Sequence, residues 1–168
     1  MMRFAPAVFI LLGSAVAAFG ASEIRGLSER EIEDLRSGRG MGLARAAELN
    51  GYPGPRHLLE AFEAGQLHLS PEQLGMVRQL FETMSREARR LGDLILREEQ
   101  ALETAFRADA ISEEDLRGRM GRLAALSGEL RLLHLRTHLQ TRAILTDHQV
   151  QRYNQVRGYA SGLPEHPH

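Results

Sequence analysis

The sequence predicts an all-α protein: a long antiparallel helical hairpin with a short N-terminal helical arm, a short C-terminal helix and a spare apolar stripe for dimerisation. Three observations carry this. Apolar residues recur at steps of three and four through residues 74–106 and again through 116–144, the period of a helix with one buried face. Helix-start signatures stand at Leu69-Ser70-Pro71-Glu72-Gln73, at Ile111-Ser112-Glu113-Glu114-Asp115-Leu116 and at Leu145-Thr146-Asp147-His148-Gln149. No segment alternates apolar and polar residues in the manner of a strand.

The chain has 168 residues, enough for one domain. Residues 1–20 read as a signal peptide. They carry Arg3, then an apolar run from Phe4 to Ala18 broken only by Pro6, Gly13 and Ser14, then small residues, with a cut expected near Gly20. The competing reading keeps this segment as a membrane anchor. Residues 21–68 form the arm. Ser28 and Glu31 make a capping box for a short helix that stops at Gly38. "GRGMG" at 38–42 resembles a phosphate loop, but no strand precedes it and no lysine follows, so a plain loop is expected. "LARAAELN" makes two helical turns up to Gly51, "YPGP" turns the chain, and "RHLLEAFEA" is a further short helix ending at Gly65.

Residues 69–159 are the hairpin domain and residues 160–168 a loose tail. Ser70 caps the first long helix, Pro71 occupies its first position and Gln73 reaches back from its third, while Leu69 staples onto Leu74. Its seam runs Leu74, Val77, Phe81, Met84, Ala88, Leu91, Ile95, Leu102 and Phe106, which makes a helix of about 37 residues and about 55 Å. The second long helix starts at the Ser112 cap and runs to about Ile144, with a seam of Leu116, Leu123, Leu126, Leu130, Leu133, Thr137 and Ile144. The short connection at 108–112 sets the two antiparallel. The last helix carries Val150, Tyr153 and Val156 and ends near Gly158.

Opposite the seam of the second long helix lies another line: Gly121, Ala125, Gly128, Leu132, Leu135, Leu139 and Ala143. Burying each leucine is worth about 1.5–3 kcal/mol, so a cover is expected. The arm with the last helix, a second subunit or a client polypeptide would each supply it.

Composition narrows the function. There is no cysteine, which excludes disulfides, thiolate metal sites and cysteine nucleophiles. The net charge of −1 leaves no electrostatic footprint for nucleic acid, and the absence of tryptophan argues against a stacking platform. His134 and His138, in "HLRTH", stand four apart on one helix face, the spacing at which two imidazoles share a transition metal such as zinc, copper, nickel or cobalt. They are placed at the edge of the seam, between it and solvent. Folding the hairpin brings Glu82, Met84 and Glu87 to their level, and His57 of the arm could pack alongside; His68, His148, His166 and His168 are further candidates. A capping and hydrogen-bonding role for the pair, or a pH-responsive one, competes with metal. Leu135 follows His134 where a zinc protease has its glutamate, and no nucleophile–base set is present, so no enzyme is expected.

Two copies of a leucine–hydroxyl–x–x–glutamine motif, "LSPEQ" at 69–73 and "LTDHQ" at 145–149, bracket the hairpin behind an export signal. This resembles the Spy/CpxP family of LTxxQ-motif periplasmic proteins, over about residues 56–159. Leu145, Thr146 and Gln149 match the motif fully; Leu69, Ser70 and Gln73 depart from it by a serine, equivalent as a cap. "ILTDHQVQRYNQVRGY" is similar to the C-terminal stretch of the heavy-metal sensor and resistance (CnrX/ZraP-like) branch. The resemblance implies a periplasmic homodimer acting as an ATP-independent chaperone on unfolded clients, as a modulator that docks on the periplasmic domain of a membrane sensor, or as a histidine-based metal binder. It also implies a mixed apolar and charged surface of a dimer, for which Leu132, Leu135, Leu139, Arg86, Arg89 and Arg90 are the candidates, as client or dimer surface; the other reading of those arginines is a solvated face laced with ion pairs.

Overall fold

A computed structural model describes residues 24–159. The expected signal segment at 1–20 and the tail at 160–168, with His166 and His168, lie outside the described residues. Among those residues the chain is all-helical, in the order α1 (Glu29–Ser37), α2 (Arg45–Glu48), α3 (Pro55–Glu63), α4 (Pro71–Arg107), α5 (Glu113–Ile144) and α6 (Asp147–Arg157). None of these helices is long and apolar enough to cross a membrane.

The helix starts follow from local chemistry. Ser28, Ser70, Ser112 and Thr146 each accept from the backbone N–H of N3, and Glu31, Gln73, Asp115 and Gln149 each return a side-chain acceptor to the cap's own N–H. Gly38 and Gly158 end α1 and α6 in the left-handed conformation that only glycine adopts freely. α2 is four residues, shorter than two turns, and it lacks a side-chain cap.

α4 and α5 lie against each other. Glu98 meets Arg122 at 3.1 Å on the side of the 108–112 connection, and Gln73 reaches the Ile144 carbonyl at 2.9 Å at the other end. One apolar core joins Ile32 and Leu35 of α1 to Ala88, Leu91, Ile95 and Leu96 of α4 and to Leu123 and Leu130 of α5. A second joins Leu58, Leu59 and Ala61 of α3 and Leu67 to Val77 of α4 and to Leu145, Val150 and Tyr153 of the C-terminal end. The arm therefore contributes a helix to each core. α1 crosses α4 at Gly92, where a Cβ would lie 2.1 Å from the Leu35 carbonyl oxygen. Leu96 and Gly92 are buried although they fall off the expected seam, because α1 covers that flank. Phe106, expected on the seam, is 56% exposed in the last turn of α4.

The arm does not cover the second stripe of α5. It lies over His134 and His138 on the flank of α5, and Leu132 and Leu139 remain open to solvent. Of the covers expected for this stripe, the arm and the last helix are removed.

Candidate functional site

Between the two apolar cores, α5 buries a polar stretch: His134, Thr137, His138 and Thr141. The threonine hydroxyls satisfy themselves on α5, Thr137 donating to the Leu133 carbonyl at 2.9 Å and Thr141 to that of Thr137 at 2.8 Å. The histidines are not at a solvent edge. His134 is 3% and His138 8% exposed, because the arm lies over them. The backbone of Gly54 packs so closely on His138 that a Cβ there would stand 2.8 Å from Cε1, and Gly40 lies against His134. The expectation of a seam-edge pair is corrected: it followed from helix periodicity alone, which does not place the loops of the arm.

His138 Nδ1 donates to the Tyr52 carbonyl at 2.7 Å. His134 Nε2 is buried and has no hydrogen-bond partner. Burial, with His138 beside it, lowers the His134 pKa to about 4, and burial also lowers that of His138. Both rings are therefore neutral near pH 7.

Next to them is a cluster that pattern reading missed. Glu48, from the single turn of α2, bonds His57 Nδ1 at 2.9 Å and accepts from the Tyr153 hydroxyl at 2.8 Å, with Arg157 at 3.5 Å. The His57 hydrogen bond is the chief cause that holds the Glu48 carboxyl at about 2; burial opposes it. Burial also pushes the Tyr153 phenol far up, so it stays a donor. One carboxylate thus ties α2 to α3 and α6. Nothing local marks Glu48, whose partners come from positions 9 and 105 residues away.

His57, Met84, His134 and His138 line one cleft of 400 Å³, with Gly40 and Gly54. The structure therefore brings His57 and Met84 to the pair. Glu82 and Glu87 stay outside this cleft; Glu87 pairs with Arg90 at 2.6 Å. His68 and His148 are exposed and apart from it. Among the described residues no group of three or more His, Cys, Asp or Glu could hold a metal ion as placed.

Two surfaces remain. Phe81 lies in a shallow groove of 420 Å³ with Ser37, Glu82, Ser85, Arg86 and Arg89. Arg86 bonds Thr83 Oγ1 at 3.2 Å and Arg89 the Ser85 carbonyl at 3.1 Å, and among the described residues neither is ion-paired with a carboxylate, unlike Arg90. The other is the line of Leu132 and Leu139, 51% and 57% exposed, with half-buried Leu135 between them.

The two glutamine motifs meet. Gln73 and Gln149 exchange amide hydrogen bonds at 2.9 Å in both directions, while Gln73 also donates to the Ile144 carbonyl and Gln149 to that of His68. Leu69, Leu145 and Leu74 pack around them in the second core. Comparison of the chain with models of protein families, with curated proteins and with solved structures finds no match.

Proposed function

We propose that this chain is a periplasmic protein of the Spy/CpxP kind, an α4–α5 hairpin that works as a homodimer and holds unfolded polypeptides without ATP. The observation that carries client binding is the groove at Phe81. The half-buried Phe81 ring lines it with Arg86 and Arg89, neither of which ion-pairs with Glu82 of the same groove, so it suits chain segments with apolar and acidic residues side by side. The test is light scattering of a denatured client at near-stoichiometric ratio. Suppression is expected, and Arg86→Glu/Arg89→Glu should lose most of it while keeping its helicity. A wild-type protein that leaves aggregation unchanged sinks the reading.

A second reading, a transition-metal binder or sensor, is supported by His134. Its Nε2 is buried without a partner in a cleft that His57, His138 and Met84 also line. Zinc, copper, nickel and cobalt titrated into wild type and into His134→Ala/His138→Ala should then show a tight site in the first alone. Equal, weak binding in both removes it.

A further inference from the structure

The cleft over His134 is rich in unspent donors, while its carboxylates are taken. Asp34 is shared by Arg39 at 3.2 Å and Arg30 at 3.8 Å, and Glu48 is held by His57, Tyr153 and Arg157. Arg45 lines the same cleft, and among the described residues its guanidinium has no ion pair and no hydrogen bond. The loop at 38–42 lines it too. That loop lacks the strand and the lysine of a nucleotide cradle, yet no group of the described residues accepts from the backbone N–H of Gly40, Met41 or Gly42.

His134 adds a donor from the buried side. Its two nitrogens differ. Nε2 is sealed from solvent and has no partner. Nδ1 has no partner either, but it is not sealed, and it lies on the side of Gly40, where a Cβ would stand 3.8 Å away. The ring is neutral near pH 7 and so carries one proton. A buried N–H without an acceptor is the rarer kind of orphan, so the proton belongs on Nδ1 and the lone pair on Nε2. The donor then faces the cleft.

We propose that this cleft binds a small organic carboxylate. Arg45 supplies the opposite charge, His134 Nδ1–H and the amides of 40–42 the hydrogen bonds, and Phe81, Met84 and Pro55 an apolar wall for the body of the ligand. The volume of 400 Å³ lies in the range of about 300–1,000 Å³ that takes small molecules. A cation finds no free carboxylate there. A dianion such as phosphate calls for a second free charge, and Arg30, Arg39 and Arg56 are each paired already. The site goes beyond client capture and does not rest on it. Phe81 borders both openings, but Arg86 and Arg89 lie outside the cleft.

Benzoate and hexanoate, a ring and a chain carboxylate, test this on the full chain with EDTA present, so that no metal takes part. Calorimetry should show one saturable site per chain for at least one of them. The matching neutral amide, benzamide or hexanamide, should bind about tenfold more weakly or worse. In imidazole nitrogen spectra the bound acid should shift His134 Nδ1 and leave the exposed His148 in place. Arg45→Glu, at an exposed position, should weaken binding by about tenfold or more with the unfolding midpoint kept. Gly40 is not left-handed and its Cβ would make only ordinary contact with His134, so Gly40→Leu should fold, fill the cleft and abolish binding. Arg86→Glu/Arg89→Glu should bind as the wild type does. No saturable binding of either acid, equal binding of acid and amide, an unmoved His134, or unchanged affinity in Arg45→Glu each overturns the proposal. So does loss of binding in Arg86→Glu/Arg89→Glu, which would put the acid in the groove used for clients. Failure of client capture with carboxylate binding intact bears on the client reading alone.

Discussion

His134 and His138 owe their burial to the arm, whose Gly54 backbone lies against the His138 ring and whose Gly40 is in ordinary contact with His134. That burial has a pH consequence. The His134 pKa is about 4 in the folded chain against 6.5 unfolded, so the unfolded state takes up the proton first as pH falls. The associated stability is complete above pH 6.5 and is lost between 6.5 and 4, in all roughly 3 kcal/mol. Glu48 acts in a later window. Its carboxyl, held at about 2 against 4.5, contributes stability above pH 4.5 that is lost as pH falls through 2. Urea midpoints should therefore drop from pH 7.5 to pH 5, and His134→Leu should flatten that drop. Equal wild-type midpoints would mean that His134 is not buried as described. The sequence shows the His-x-x-x-His pair plainly. It does not show the burial, because Gly54 gains meaning only once the arm is laid across α5.

At the scale of elements, the helix starts were readable almost to the residue. Capping is local chemistry, complete within four residues. The pairing of the two glutamine motifs was not readable, since Gln73 and Gln149 are 76 residues apart. Each glutamine closes its own capping box and also clamps the start of α4 to the start of α6. Gln73→Ala and Gln149→Ala should each cost about 1–3 kcal/mol, and the double variant clearly less than the sum. Additive losses in a denaturation cycle would show the two caps to be independent. α2 is the opposite case. A four-residue turn without a cap is held by its neighbours, with Glu48 bonded to α3 and α6. Its length depends on those contacts rather than on propensity.

At the scale of the molecule, all-helical character and the two long helices follow from a period kept through 37 and 32 residues. Which side of α5 the arm covers does not. Both sides of α5 carry apolar residues, and periodicity cannot choose between them. The choice rests on Gly92, which lets α1 cross α4 at backbone contact, and on Gly54, whose backbone lies against the His138 ring. That path places polar groups of the arm beside the imidazoles and leaves the leucines outward. It also leaves Phe81 in one groove with Glu82, Arg86 and Arg89, where neither arginine is ion-paired. Client capture is the central claim, and its most direct measurement is equilibrium binding of a fluorescent, permanently unfolded polypeptide without nucleotide. The account predicts saturable binding that weakens with salt and is lost in Arg86→Glu/Arg89→Glu. Absence of binding by the folded wild-type protein would contradict it.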